Sequence, residues 1–498
     1  MNLLDFLKNE YSKRNWSITS NRSCEQITVI ERLINGENLL LVQATGWGKT
    51  IVYALTTKFL RKTGVGPTVI ISPTIDLIND QIAALSTFDL ECVTLNHTNK
   101  NEHESIYTAI KNDAVDVILV SAEKATDDYF LRRFGSPALC VCDECHIISE
   151  VGHDFRPKYA ELCKFFTSLN KNARILATSA TVDNNSAKDV RVQLGKLKII
   201  RGILDKPNHS INVIEFNSDD DCSDILKNKK IEWLNDNLFN IFKQCGRGII
   251  YCRKIETVDK LYSRLNDFNR YNKWELHIGK YYSDDENFFR DQIFKALKQG
   301  DIDIMICTGP SLGIGIDLDF GFTIHFDPPM SIPQLYQEIG RAGRTIKNSK
   351  NACSYIMYSP KSKSNIMKTI HSNAIDPNIA KSVYSTLQKG NATDKELKAV
   401  CNIEKNDIKF RQAINILTSC KCIKEDNGAY RLNSSPLDDV FDKDEKITKR
   451  RINAFNDLLS CILSKKKCIM QQLRIALGDP TPNIQPCGKC SVCKSKHL

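Results

Sequence analysis

The stretch Gln43–Thr50, QATGWGKT, decides the fold of the first part of the chain. It follows a short apolar run and precedes residues with helical periodicity. Glycines in such a turn let backbone N–H groups close around phosphate oxygens, while lysine and threonine reach the phosphates and Mg²⁺. The turn predicts a nucleoside triphosphate site formed by Thr45, Gly46, Trp47, Gly48, Lys49 and Thr50. A fortuitous glycine-rich turn is the alternative, since Gln43 stands where the full pattern has glycine.

Apolar runs on both sides of this turn predict two parallel sheets. The first series consists of the runs Asn38–Gln43, Thr68–Ser72, Val115–Ser121, Leu139–Val141 and Arg174–Thr178. The second series consists of Gly248–Cys252, Ile302–Thr308, Phe322–Phe326 and Cys353–Met357. Strands that alternate with helical stretches indicate βαβ units. We therefore expect two tandem α/β domains, residues 1–205 and 206–360.

The chain changes character after Pro360, where helical patterns dominate. A T-x-x-E capping box at Thr393 and Glu396 marks a helix start, and Asn427-Gly428 is a strong hairpin-turn signal between two short strands. Helices followed by a hairpin favour a winged helix for residues 361–440, although these helices are open to another interpretation. The remaining residues, 441–498, form a basic tail that contains several cysteines.

A pair of carboxylates follows the strand predicted near residue 140. Asp143 and Glu144 begin the sequence DECH, which places both at the carboxyl edge of the first sheet, facing the glycine-rich turn. At such an edge the first carboxylate suits Mg²⁺ and the second suits activation of water. An Asp-Glu pair alone is a common solvated turn. It gains weight here from the phosphate-binding turn about ninety residues upstream.

The second α/β domain contains the sequence QEIGRAGR at residues 337–344. Its glycines permit close approach to a partner, and its arginines present guanidinium groups that suit phosphate. Gln337, Arg341 and Arg344 are therefore predicted to reach across the cleft between the domains as catalytic residues, with an arginine finger among them. Surface cations are the alternative interpretation.

Four cysteines near the end of the chain have the spacing of a metal site. Cys487, Cys490 and Cys493 are separated by two residues each, and Cys468 lies on a predicted helix upstream. Four thiolates give closed tetrahedral Zn²⁺ coordination, which is structural rather than catalytic. Unrelated free thiols are the alternative.

Composition and charge exclude several classes of protein. The 498 residues are 42% apolar and 26% charged, which excludes a disordered or fibrous chain. The sequence lacks an apolar run long enough for a membrane span and a secretory signal, so we expect a cytoplasmic protein. The net charge is +10, and residues 443–498 hold twelve Lys or Arg against four acidic residues. This asymmetry favours a polyanionic partner over a merely solvated tail.

Together these motifs resemble, in order, those of the superfamily 2 helicases, and within them the RecQ family of DNA helicases. Further similar segments are Val69–Gln81, Val120–Lys124, Ala177–Thr181, Gly248–Cys252, and Thr308 with Leu312–Asp317. The resemblance implies RecA-like folds for both sheet domains, an adenine-reading role for Gln26, and a link from Thr181 between hydrolysis and the DNA strand. In the usual family order, however, the zinc subdomain follows the second motor domain directly and precedes the winged helix.

The residues Ser149–Tyr159 resemble the aromatic-rich loop by which RecQ proteins sense single-stranded DNA. His146 and His153, with Phe155 and Arg156, are the predicted coupling residues of this region. Phe155 offers a face on which a base can stack, and Arg156 offers a phosphate or cation–π contact. An ordinary loop with one buried phenylalanine is the alternative.

The resemblance implies an ATP- and Mg²⁺-dependent DNA helicase with a structural Zn²⁺, which acts on single-stranded and forked DNA in genome maintenance and moves 3′ to 5′. Tyr430, just past the hairpin turn, is predicted to stack on the last base pair of the duplex, although it equally fits packing on its own core. A translocase or RNA helicase of the same superfamily is one alternative function. A DNA-binding scaffold with a vestigial ATPase is another.

Overall fold

The structure is a computed structural model. It describes residues 2–96, 98–134, 137–150, 159, 162–168, 173–221, 228–282, 287–309, 320–343, 352–403, 407–426 and 428–495. Within these ranges, every helix is too short or too polar to span a lipid bilayer. The strands form three sheets, of seven, six and three strands.

The first sheet is entirely parallel. Its strands are β1 Leu39–Val42, β2 Thr68–Ile71, β3 Cys92–Leu95, β4 Val117–Val120, β5 Leu139–Cys142, β6 Arg174–Ser179 and β7 Lys198–Arg201. They lie in the order β3-β4-β2-β5-β6-β1-β7. Helices cover both faces, so β1, β2, β4 and β5 are fully buried runs of apolar residues rather than alternating ones. The carboxyl ends of β1, β5 and β6 therefore meet at one edge.

The helices of this first domain include a pair before β1. They are α1 Leu3–Lys13, α2 Asn21–Ile34, α3 Lys49–Lys62, α4 Ile75–Ser86, α5 His103–Lys111, α6 Ala122–Ala125, α7 Asp128–Phe134, α8 Ile147–Glu150, α9 Leu162–Ser168 and α10 Asn184–Leu194, with a short 3₁₀ turn at Lys100–Glu102. Ser20 and Thr74 cap α2 and α4 by accepting a hydrogen bond from the backbone N–H three residues on.

The second sheet is also parallel and repeats the βαβ pattern. Its strands are β8 His209–Glu215, β9 Gly248–Cys252, β10 Ile278–Tyr281, β11 Ile304–Thr308, β12 Phe322–His325 and β13 Ala352–Tyr358, in the order β10-β11-β9-β12-β13-β8. The helices between them are α11 Lys229–Cys245, α12 Ile255–Asn272, α13 Asn287–Gln299 and α14 Ile332–Ile339. The predicted pair of tandem parallel-sheet domains is confirmed.

A small helical unit with a three-stranded sheet follows β13. Its elements are α15 Pro360–Ser372, α16 Pro377–Lys389, β14 Ala392–Thr393, α17 Asp394–Val400, α18 Ile408–Ser419, β15 Ile423–Asp426 and β16 Ala429–Leu432. The capping box of Thr393 and Glu396 is confirmed, since each side chain bonds to the other's backbone. The first hairpin strand begins at Ile423, because Cys420 caps α18 and Lys421 has a left-handed backbone (φ 59°).

The chain ends with α19 Leu437–Ile462, α20 Ile469–Ala476 and α21 Ser491–Ser495. The predicted domain boundary at residues 440/441 lies inside α19, so a loop does not separate the last two units there. The end of α19 and the residues that follow it, 463–495 (the cysteine segment), share one apolar cluster with α14, α15 and β8. The cysteine segment therefore packs directly on the second sheet domain, although the helical unit separates the two in sequence.

Candidate functional site

The glycine-rich turn joins β1 to α3 at the carboxyl edge of the first sheet. Gly46 and Gly48 have left-handed backbones (φ 78° and 97°), and a Cβ at Gly48 would lie 2.5 Å from Nε2 of Gln26. The left-handed backbone therefore favours glycine at position 48, and a Cβ there would displace the Gln26 amide. The Lys49 ammonium donates a hydrogen bond to the carbonyl oxygen of Gln43 at 3.1 Å, which folds the lysine over the turn.

Helix α2 anchors this turn from outside. The Gln26 amide donates to the carbonyl oxygen of Trp47 at 2.8 Å and accepts from the Tyr11 hydroxyl at 2.8 Å. Gln26 is 2% exposed, so both contacts are shielded from water. Burial raises the pKa of Tyr11 to about 12, which keeps its hydroxyl a donor. The partnership of Tyr11 with Gln26 had no signal in the sequence pattern.

The two carboxylates follow β5 as predicted, and Asp143 is held from two sides. Asp143 accepts hydrogen bonds from the Gln81 amide at 2.6 Å and from the Thr178 hydroxyl. Burial and the neighbouring Glu144 carboxylate raise the pKa of Asp143. Gln81 and Thr178 lie within segments that resemble helicase motifs, but only the folded chain shows that both bond to Asp143.

Glu144 lies in a left-handed backbone conformation (φ 48°), which is strained for a residue with a side chain. Burial favours its neutral form, but the contact with His146 and the positive charges of Lys49 and Arg341 lower its pKa. The carboxylate Oε2 lies 3.2 Å from Nδ1 of His146. Glu144 is therefore an ionised carboxylate beside the glycine-rich turn, as a general base must be.

His146 connects this carboxylate to the end of β6. Its Nδ1 lies 3.0 Å from the Ser179 hydroxyl, and that hydroxyl also accepts the N–H of Thr181 at 3.2 Å. All three side chains are buried. Glu144, His146 and the turn that contains Thr181 therefore form a continuous contact path.

Helix α14 brings the second domain to the same place. The Thr45 hydroxyl donates to the carbonyl oxygen of Gly340 at 3.2 Å, and Arg341 is 3% exposed with its charge acting on Glu144. Gln337 lies on the same helix and is partly buried. Arg344 lies outside the described residues. A buried pair that the sequence did not reveal, Nε2 of His325 and Oε2 of Glu338 at 2.9 Å, fixes α14 to β12.

The four predicted metal ligands come together. The sulfur atoms of Cys468, Cys487, Cys490 and Cys493 all lie within 4.8 Å of one another. Those of Cys468 and Cys490 are 3.9 Å apart, close to the edge of a tetrahedron with metal–sulfur distances of about 2.3 Å. Backbone N–H groups of Cys487 and Cys490 point at sulfur atoms of the cluster, at 3.2 and 3.4 Å. The donor set and its arrangement fit Zn²⁺.

The predicted DNA-coupling residues divide into three groups. His146 and Thr181 lie at the carboxyl edge of the first sheet, beside the glycine-rich turn. His153, Phe155 and Arg156 lie outside the described residues. Tyr430 lies on β16 opposite Glu425, half-buried against the apolar core of the helical unit. Gly428 has the left-handed backbone that a tight hairpin turn requires (φ 80°), and Asn427 lies outside the described residues.

Comparison with known proteins agrees with these features. The family model "DEAD/DEAH box helicase" matches residues 23–190, and "Helicase conserved C-terminal domain" matches residues 229–346. The chain is similar to the "ATP-dependent DNA helicase RecQ" of Haemophilus influenzae, at 29% identity over 325 residues, which cover 64% of this chain and 48% of that protein. The protein of the same name from Pasteurella multocida is 30% identical, also over 325 residues, with the same coverage.

The chain thus spans about half the length of the curated relatives it matches. Among solved structures, the DUF1998 helicase MrfA bound to DNA is similar with a TM-score of 0.57 at 17% identity, covering 87% of this chain and 63% of that one. At this identity the likeness shows the fold alone.

Proposed function

Because the chain belongs to the RecQ family of superfamily 2 helicases, we propose that it is an ATP-dependent DNA helicase. It would move 3′ to 5′ on single-stranded DNA and unwind forked duplexes in DNA repair or recombination. The observation that carries the proposal is the contact across the cleft, where Thr45 meets Gly340 and the Arg341 charge reaches Glu144. Residues of both domains are needed at one site, so hydrolysis and domain closure are coupled.

The chemistry assigns each residue of this site a role. Lys49 and the N-terminus of α3 bind the β- and γ-phosphates of ATP. Thr50 and Asp143 are the oxygen ligands that fit Mg²⁺, which offsets phosphate charge when bound. Glu144 accepts the proton of the attacking water, and Arg341 stabilises the charge that develops on the γ-phosphate.

Three further assignments complete the nucleotide site. Gln26 contacts the adenine, with its amide already oriented by Tyr11 and Trp47. Gln337, on the helix that carries Arg341 at its end, orients the reactants from the second domain. Arg344 is proposed as the second arginine of this motif from its sequence position.

Contact with DNA would reach the site through His146. Its position between Glu144 and Ser179 supports transmission from the aromatic-rich loop, in which His153, Phe155 and Arg156 contact the strand. A base that stacks on Phe155 would shift this loop, and the shift would reorient the Glu144 carboxylate. Hydrolysis would then depend on DNA.

The C-terminal region would supply the remaining contacts with the fork. The order helix, strand, helix, helix, strand, strand over α16 to β16, with β14 pairing β16, supports a winged helix. Tyr430 lies on its hairpin and is the candidate for separating the strands. The four-cysteine cluster would hold one structural Zn²⁺. We also propose a cytoplasmic location.

The test is unwinding of matched substrates by the purified protein. ATP hydrolysis is measured with and without single-stranded DNA, and strand separation is measured on DNA duplexes with a 3′ tail, a 5′ tail or a fork, and on an RNA duplex. Glu144→Gln is the inactive control. DNA-stimulated hydrolysis without strand separation would indicate a translocase, preference for RNA an RNA helicase, and absence of hydrolysis a scaffold; each outcome contradicts the proposal.

A further inference from the structure

The segment that joins the two sheet domains contacts the cysteine segment, residues 463–495, along its whole length. β7 ends at Arg201 and β8 begins at His209, so residues 202–208 form the linker. Leu204 is 1% exposed and belongs to the apolar cluster that contains Leu473 and Leu477. When two domains close on a ligand, a few linker residues absorb the change. The contacts that hold this linker therefore control how the two sheet domains close on each other.

Asp479 is the central anchor of the linker. Its Oδ2 accepts hydrogen bonds from the backbone N–H of Leu204 at 2.8 Å and from Nε of Arg474 at 2.7 Å. The Asp479 side chain is fully buried. Arg474 also lies 3.3 Å from the carboxylate of Asp205. A buried carboxylate that lost these donors would be strongly destabilised, so the linker is bound rather than merely adjacent.

The ends of the linker are bound to the same segment. At its start, Arg201 donates to the carbonyl oxygen of Leu477 at 3.1 Å. At its end, the Lys489 ammonium donates to the carbonyl oxygen of Pro207, and the Ser210 hydroxyl donates to the carbonyl oxygen of Lys489 at 3.0 Å. The contacts thus extend from the last residue of β7 into β8. Lys489 lies between two of the four cysteines, so the fold of the cluster sets its position.

The linker in turn contacts both halves of the nucleotide site. The Tyr336 hydroxyl, on α14, donates to the carbonyl oxygen of Leu204 at 2.7 Å. At the other end, the N–H of Gly202 donates to Val42 in β1 at 2.9 Å. A Cβ at Gly202 would lie only 1.8 Å from Oε1 of Gln43, the residue whose carbonyl binds Lys49.

We propose that the cysteine segment is a clamp on the linker, and that Asp479 and Arg474 are positioning residues for ATP hydrolysis across the cleft. By fixing Leu204, the clamp holds α14 where Gly340 contacts Thr45 and where the Arg341 charge acts on Glu144. Release of the clamp would leave the first domain able to bind ATP but would lower the fraction of molecules in the closed arrangement. The role in hydrolysis rests on the function proposed above, whereas the clamp itself does not.

The test compares Asp479→Asn and Asp205→Asn with Asp457→Asn in the full chain. Asp457 is an exposed carboxylate on α19, outside both the linker and the cysteine segment, so it is the matched control. Three properties are measured: zinc per chain, hydrogen exchange of the backbone amides of residues 202–206 and 208, and kcat and KM for ATP with single-stranded DNA. We expect exchange at Leu204 to rise at least about tenfold in Asp479→Asn, since both carboxylate oxygens accept hydrogen bonds and the amide offers one uncharged acceptor oxygen in their place.

In Asp479→Asn and Asp205→Asn, kcat should fall about threefold or more while KM for ATP changes less than about twofold, because the groups that bind ATP are untouched. Asp457→Asn should match the wild type in all three properties. If Asp479→Asn loses zinc, the clamp is tested by Asp205→Asn alone, because Asp205 lies outside the cysteine segment. Unchanged exchange in zinc-loaded variants overturns the clamp, and faster exchange with unchanged kcat overturns its role in hydrolysis. A wild type without ATPase activity would refute the proposed function, while exchange would still test the clamp.

Discussion

The indole N–H of Trp47 donates a hydrogen bond to the carboxylate of Glu25, with 2.9 Å between Nε1 and Oε2. Trp47 is 9% exposed and packs in the core beneath α2, although it lies between the two glycines of the phosphate-binding turn. The bond and the burial attach the turn to the helix that carries Gln26. Trp47 therefore acts as an anchor for the turn.

Trp47→Phe should raise the dissociation constant of ATP about fivefold with little change in fold. The phenyl ring keeps most of the buried area, and the lost hydrogen bond is worth about 1 kcal/mol at a partly exposed site. The measurement is a nucleotide-binding titration. Glu25→Gln, which retains an acceptor oxygen, is the control and should bind ATP nearly as the wild type does. Wild-type affinity in Trp47→Phe would contradict the anchoring role.

Glu144→Gln should retain ATP binding and lose turnover by a factor on the order of 100 or more, because the amide keeps the volume and loses the base. Lys49→Ala should instead weaken binding itself, since the ammonium that contacts the phosphates is gone. ATP binding and DNA-stimulated hydrolysis, measured on both variants, distinguish the two roles. Near wild-type hydrolysis by Glu144→Gln would mean that another group activates the water.

The acid limb of the pH profile of kcat/KM for ATP hydrolysis should depend on His146. The contact with His146 lowers the pKa of Glu144, so the base remains ionised as the pH falls. In His146→Gln the Glu144 pKa should rise, and kcat/KM should begin to fall at a higher pH than in the wild type. Ser179→Ala, which removes a partner of His146 but keeps the contact with Glu144, is the control. Coincident acid limbs in His146→Gln and wild type would exclude this role.

The protein should contain about one zinc per chain, and Cys490→Ser should lower both the zinc content and the thermal midpoint. Cys490 is completely buried among the other sulfur atoms and shares the apolar cluster with α14. Loss of one thiolate ligand therefore weakens both the metal site and the packing on the second domain. Elemental analysis and thermal unfolding measure the two effects. Cys401→Ser, outside the cluster, should keep the zinc.

Tyr430→Ala should lower duplex unwinding several-fold while ATP hydrolysis stimulated by single-stranded DNA remains near normal. The reason is that an aromatic face on the hairpin can stack on the last base pair, whereas the ATP site is built from residues of the two sheet domains and Tyr430 packs in the core of the helical unit. Tyr430→Phe keeps the ring and should unwind normally. Equal unwinding by the alanine variant and the wild type would leave Tyr430 as a packing residue, consistent with its half-buried position.

Local features of the site could be predicted from the sequence because they depend on neighbouring residues. The glycines at positions 46 and 48 are needed where the backbone turns left-handed, and the structure has positive φ at both. The four cysteines are also predictable, since two residues separate each neighbouring pair of Cys487, Cys490 and Cys493, and Cys468 lies only 19 positions before Cys487. The hydrogen-bond partners of the site residues could not be predicted in this way. Tyr11 at Gln26 and Gln81 at Asp143 are ordinary polar residues on amphipathic helices, and their spacing carries no sign of a buried partner.

The sequence by itself determined which elements form: two parallel sheets, a phosphate-binding turn, a carboxylate pair at a strand end, and a cluster of thiols. These follow from periodicity and from local backbone requirements. Only the tertiary structure decided which distant elements meet. Asp479 reaches the amide of Leu204, and Thr45 reaches Gly340, 295 positions away. An apolar face requires a partner face but does not specify it, because hydrophobic burial is not directional. In the folded chain, the apolar face of the cysteine segment is complementary to those of α14 and β8, so these are the faces that pack together.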